Sequence, residues 1–84
     1  MAGILDVTQD LAEEFGFEAK FKTTRYGASV EVLADGDVIL YVEQSYHEPI
    51  ITLWCGDEEE EQTYDSSWDF DLAKEAIEEF LERY

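Results

Sequence analysis

The chain of 84 residues has one cysteine, one histidine and only five lysines and arginines, and each scarcity removes a class of function. Cys55 alone excludes an internal disulfide, and with His47 as the only histidine no zinc ligand set can be assembled. A reducing cytoplasm suits this cysteine usage. No apolar run approaches the ~18 residues that a membrane span requires. The opening MAGILDVTQD has no basic segment and turns acidic within six residues, unlike a secretory signal. Neither Gly27 nor Gly36 stands in a glycine-rich run followed by lysine, so a phosphate-cradling loop is absent. Phosphate backbones and anionic lipid need clustered Lys and Arg, so direct binding of nucleic acid or membrane is not expected.

Carboxylates are plentiful: 22 Asp and Glu against five basic residues give a formal net charge of −17. The expected partners are therefore cations or proteins with strongly basic surfaces. The chain is also 45% hydrophobic and 14% aromatic, ample for the core of one domain spanning 1–84. A domain of this size buries only ~60–65% of the surface its unfolded chain exposes.

Hydrophobic periodicity predicts the elements. Over 4–15, Ile4, Thr8, Leu11, Ala12 and Phe15 share one helical face, Asp10, Glu13 and Glu14 point away, and Gly16 is a natural terminator. From Phe17 the period becomes two, which predicts strands over 17–24, 28–34, 38–44 and 50–55. A two-residue loop at Tyr26-Gly27 would pair Phe21 with Val32 inside and Lys22 with Glu31 outside. Turn chemistry suggests a two-residue loop at Asp35-Gly36, whereas a three-residue loop sets Val38, Leu40 and Val42 opposite Ala34, Val32 and Val30. The core pattern favours the second, because a one-residue slip reverses every side chain. A strand over 60–64 is only weakly signalled. Ser67 or Asp69 can cap a last helix over 70–83, whose apolar face is Leu72, Ala73, Ala76, Ile77, Phe80, Leu81 and Tyr84. The expected fold is α+β: an antiparallel four-stranded meander between an N-terminal and a C-terminal helix, α-β-β-β-β-α in two layers. Phe17, Phe21, Val30, Val32, Leu40, Leu53, Leu11, Phe15, Ile77 and Phe80 are its expected core.

Catalysis finds little support in the residues. Nucleophilic chemistry needs a Ser or Cys held by a base and an orienting group. His47 sits in a loop beside Pro49 and Cys55 at a strand end, so they read as a surface histidine and a core cysteine. With so many acids, a pair of carboxylates carries no information about glycoside hydrolysis. Asp35-Gly36-Asp37 and 57–61 offer hard oxygens, but neither has the alternating ligands and distal glutamate of a calcium loop. No enzyme, cofactor or dedicated metal site is expected.

The segment 56–71, GDEEEEQTYDSSWDFD, holds eight carboxylates in sixteen positions and no basic residue. Such a run is either a solvated loop or a surface kept for a partner. The last helix extends it, since Glu75, Glu78, Glu79 and Glu82 follow i, i+3, i+4, i+7 spacing on one stripe. Rows of carboxylates ~5–6 Å apart imitate, crudely, the charge density of duplex DNA. The expected partner-binding surface is thus Asp57, Glu58, Glu59, Glu60, Glu61, Asp65, Asp69, Glu75, Glu78, Glu79 and Glu82. Tyr64 and Trp68 are its aromatic anchors, and Tyr41, Tyr46 and Trp54 are further candidates. Packing at the root of the last helix is the favoured role for Trp68, with an exposed hot spot as the alternative. Should the acidic run be only a solvated loop, the aromatic sheet face around Leu33, Ile39, Tyr41 and Trp54 is the next candidate.

In size, charge, helix–meander–helix order and the DEEEE and EAIEEFLE stretches, the chain resembles the small acidic inhibitors that phages direct against bacterial nucleases. These are anti-CRISPR proteins and DNA mimics of the anti-restriction type. The resemblance is one of composition and layout, and no residue carries over by position. It implies binding, in the host bacterial cytoplasm, to the basic nucleic-acid-binding surface of an effector complex; a monomer or weak dimer is expected. Immunity proteins that neutralise nuclease toxins share the same features. The alternative is a small acidic adaptor or structural protein of a salt-adapted or phage proteome. Against salt adaptation stands the concentration of acids in the second half of the chain, while Lys20, Lys22 and Arg25 gather in the first.

Overall fold

A computed structural model describes residues 3–56 and 60–84. The chain forms α1 (Ile4–Glu14), β1 (Glu18–Thr23), β2 (Gly27–Ala34), β3 (Asp37–Ser45), β4 (Ile50–Cys55), β5 (Gln62–Asp65) and α2 (Phe70–Arg83). All strands pair antiparallel with their sequence neighbours, in the order β1-β2-β3-β4-β5. The fold is α+β as expected, but the sheet has five strands rather than four. The added strand is the weakly signalled one, whose Thr52–Thr63 and Ile51–Tyr64 pairings supply the order that its own sequence does not.

Both helices cover one face of the sheet. α1 lies over β1, β2 and β3, α2 lies over β4 and β5, and the two helices touch each other. Alternation puts Val30, Val32, Leu40, Val42, Ile51 and Leu53 beneath them, where they form one core with Ile4, Leu11, Ala12, Ala73, Ile77 and Leu81. Thr8, also in this interface, is tolerated because its hydroxyl donates to the Ile4 carbonyl at 2.7 Å. α1 stops where Gly16 takes φ 83°: its N–H donates to the Glu13 carbonyl and the Phe17 N–H to Ala12, closing a Schellman motif. Phe17 then meets the Tyr84 ring edge-on at 5.8 Å, so the helices lie side by side and run the same way.

Three expectations are corrected. The β1–β2 register sets Phe21 opposite Val30 and Ala19 opposite Val32, two residues from the expected pairing, because the loop turns one position earlier, at Arg25-Tyr26, where the Thr24 N–H donates to the Gly27 carbonyl. A shift of two preserves the faces, and Lys22 still reaches Glu31 diagonally, Nζ to Oε1, at 2.6 Å. β2 opens on glycine because a Cβ at Gly27 would strike the backbone carbonyl of Gln44. The β2–β3 turn is the two-residue Asp35-Gly36 loop, with φ 53° and 87° as a type I′ turn requires, and not the three-residue loop. A bulge between Val32 and Leu33 leaves Ile39 as an extra residue on β3, which restores Leu40 opposite Val32 and Val42 opposite Val30. Finally, Phe21 is not core. It faces the helical side but stands on the outermost strand, with a neighbour on one side only, and remains 53% exposed. Phe15, Phe17 and Phe80 pack against the core while only partly buried.

Candidate functional site

α2 carries the acidic stripe on rigid backbone. Ala73, Ile77 and Leu81 are buried beneath it, so the positions half a turn away face water. Asp71, Glu75, Glu79 and Glu82 are exposed and Glu78 is half-buried at the flank. Lys74 and Arg83 are the cations of this helix, and Arg83 turns its Nε to the Glu79 carbonyl at 3.4 Å. Glu75–Glu79 and Glu78–Glu82 are like-charge i,i+4 pairs, each destabilising by ~0.2–0.5 kcal/mol. Glu82, in the last turn, also opposes the macrodipole. The stripe is thus held by the core behind it and not by its own interactions.

The apolar face expected for α2 is corrected at two positions. Leu72 is 55% exposed, and Tyr84 stays largely exposed with its ring against Phe17 and Phe80, because Ala73, Ile77 and Leu81 fill the centre of the core contact. The cap also differs from expectation. Asp69 is the N-cap residue but makes no side-chain capping bond. Its carboxylate instead accepts from the Asp65 N–H at 3.4 Å, and Ser67 lies in the preceding turn and not at the N-cap position. The preceding turn is organised by Asp65, whose Oδ1 accepts from the N–H groups of Ser67 at 2.8 Å and Trp68 at 3.2 Å. This turn throws Trp68 outward. The ring is 86% exposed and not packed at the helix root, against the favoured expectation.

Trp68 is not isolated. Ser66 N–H donates to the Pro49 carbonyl at 2.8 Å, and Tyr46 N–H to the Tyr26 carbonyl at 2.9 Å, tying three loops together at one end of the sheet. Exposed Tyr26, Tyr46 and Ile50 therefore lie at the same end as Trp68. Sequence reasoning gave Tyr26 only a place in a turn and Ile50 a place in a strand.

The remaining acids of the expected surface are dispersed. Asp57, Glu58 and Glu59 lie outside the described residues. Glu60 and Glu61 are exposed before β5, at the end of the sheet opposite Trp68. Glu61 is close enough to Tyr41, on the helix-free face, for its charge to act on that phenol. Asp65 and Asp69 belong to the turn that presents Trp68. Tyr64 packs against the core and donates its hydroxyl to Gln62 Oε1 at 2.8 Å, so its ring is structural as well as partly accessible.

The helix-free face is closed by its own polar pairs. Lys20, Glu31, Tyr41 and Trp54 are successive cross-strand neighbours. Tyr41 donates to Glu43 Oε2 at 2.7 Å. Of the alternative surface, Ile39 belongs to the core and Leu33 is buried, leaving half-buried Tyr41 and Trp54. Burial pushes the Tyr41 phenol above its ordinary value, helped by the Glu43 hydrogen bond and the charges of Glu43 and Glu61, against a smaller lowering by Ser29. A raised folded-state value means that the contribution of Tyr41 to stability is complete below the unfolded value of ~10 and is lost as pH rises through the folded one. Stability should fall above pH ~10 less steeply in Tyr41→Phe than in the parent. Absorbance titration should show Tyr41 ionising late, and that step should vanish in the variant. A late step that survives the substitution would assign it to another tyrosine.

His47 lies exposed in the β3–β4 loop, where its N–H donates to Ser45 Oγ at 3.3 Å, and Cys55 is buried at the end of β4. Among the described residues no three His, Cys, Asp or Glu side chains are grouped to hold a metal ion, and no helix is long and apolar enough to cross a membrane. Comparison of the chain with protein families, curated proteins and solved structures found no match.

Proposed function

We propose that this chain is a protein-binding inhibitor without catalytic activity. Its target is the basic nucleic-acid-binding surface of a bacterial defence nuclease or CRISPR effector, blocked by phosphate mimicry or by steric occupation. The observation that carries the reading is the exposed stripe Asp71, Glu75, Glu79 and Glu82 on α2, where neighbouring carboxylates one turn apart repel one another. A row of Lys and Arg would relieve that repulsion on binding and release its own counterions, as it does on binding phosphate. Small acidic phage inhibitors of the anti-CRISPR and anti-restriction type work from the same chemistry.

A second reading, an acidic adaptor or structural protein of a salt-adapted or phage proteome, draws support from α1. That helix also exposes Asp6, Asp10, Glu13 and Glu14, so acid is not confined to the second half of the chain. The two readings separate in DNA-cleavage assays with restriction nucleases and CRISPR effectors. Inhibition should appear at low salt and weaken steeply between 50 and 200 mM salt, the range over which phosphate-type contacts lose ~10³–10⁵ in affinity. A chain that inhibits none of them, and is stabilised by molar salt, fits the second reading and overturns the first.

A further inference from the structure

The outer face of α2 begins just after an exposed turn that carries Trp68. Positions 72, 75, 79 and 82 of α2 are spaced by three or four residues and share one face, so Leu72 stands in line with Glu75, Glu79 and Glu82, and exposed Trp68 precedes that face in the turn that leads into α2. The ridge is apolar at its foot and acidic along the rest. We propose that this ridge receives a basic amphipathic helix of the partner protein. Trp68 and Leu72 enter an apolar notch on that helix, and its Lys or Arg rows lie along the three glutamates. The proposal rests on the inhibitor reading and adds the anchor that pure charge lacks.

Charge selects the occupant. A second copy would bring another −17 against the same ridge, and nucleic acid or an anionic membrane would be repelled. A simple polycation satisfies the carboxylates but leaves both apolar side chains in water, although a covered tryptophan removes ~150–250 Å² from solvent. Only a surface both basic and apolar answers the whole ridge. From position 71 to 82 the helix rises ~16 Å, and a neighbouring helix presents side chains at the same i,i+3 and i,i+4 intervals. Helix-in-groove recognition reads apolar anchors at such spacings.

The test uses the full chain with Trp54→Phe, so that Trp68 is the only tryptophan. The probes are a synthetic helical peptide of ~18 residues with leucine on one face and lysine on the others, and an oligolysine of equal charge. The amphipathic peptide should bind and move the Trp68 emission to shorter wavelength, whereas oligolysine should bind without the shift. In titrations of labelled peptide, Trp68→Ala should weaken the amphipathic peptide by ~30-fold and leave oligolysine within ~2-fold, as expected for an exposed hot-spot anchor. Equal affinity of Trp68→Ala for the amphipathic peptide overturns the anchor while oligolysine binding upholds the acidic surface. Failure of both probes at low salt overturns both readings. A blue shift produced by raising the protein's own concentration, or by phosphatidylcholine–phosphatidylglycerol vesicles, would assign the ridge to self-association or to lipid and overturn the proposal.

Discussion

Replacing Glu75, Glu79 and Glu82 together with lysine is expected to abolish association with a basic nucleic-acid-binding surface while leaving the fold intact. Each exposed ion pair contributes ~0.2–1 kcal/mol, and reversal adds a repulsion of similar size. Three reversals therefore remove roughly 1–6 kcal/mol, or one to four decades of affinity. The association rate should fall with the affinity, since steering acts over a Debye length of ~8 Å at physiological ionic strength. Thermal stability should hold or rise. Net charge falls from −17 to −11, because each Glu→Lys change adds two units. The substitution at Glu82 also sets a cation in the last turn of the helix, where the dipole favours it. Stopped-flow association and thermal melting on the same variant check both halves of the claim. Unchanged binding in a well-folded triple variant would move the interface off α2.

The largest stability effect is expected at Ile77→Ala. Ile77 is fully buried at the centre of the seam by which α2 joins the core. Truncating such a side chain costs ~2–5 kcal/mol, the transfer term plus the cavity left behind. At ~0.05–0.15 kcal/mol per residue the whole domain has only ~4–13 kcal/mol. The melting temperature should therefore drop by roughly 10 °C or more. Glu75→Gln, about half a turn away on the solvent side, should change stability by less than ~0.5 kcal/mol. Urea unfolding of the pair gives the contrast directly, and a loss below ~1 kcal/mol at Ile77 would mean that the seam collapses around the missing atoms.

Local periodicity determined much of this protein. The helical faces of α1 and α2, the terminator at Gly16, the inward set Val30, Val32, Leu40, Val42 and Leu53, and the outward stripe of α2 all follow from spacings of 3.6 and 2. Such spacings are short-range, so they survive any arrangement that keeps one side dry. The Asp35-Gly36 turn was legible in the same way, from the positive φ its two residues tolerate. What could not be read was its coexistence with the core register, because the bulge at Ile39 reconciles them only when β3 is fitted against β2.

Tertiary structure decided how far the cover reaches. Phe21 and Leu72 occupy inward positions by pattern, yet stay half in water because one sits on an edge strand and the other beyond a seam that Ala73, Ile77 and Leu81 already fill. Trp68 is outward because Asp65 holds the turn before α2, a contact between groups that no periodic pattern marks. β5 exists because β4 offers it an edge. The acids of 56–71 form a single run in sequence, but the sheet separates Glu60 and Glu61 from Asp65 and Asp69 by the length of β5, and sets Glu61 toward Tyr41. A spacing rule specifies which side of an element is apolar. The extent of burial depends on what stands opposite, and that is a property of the assembled layers.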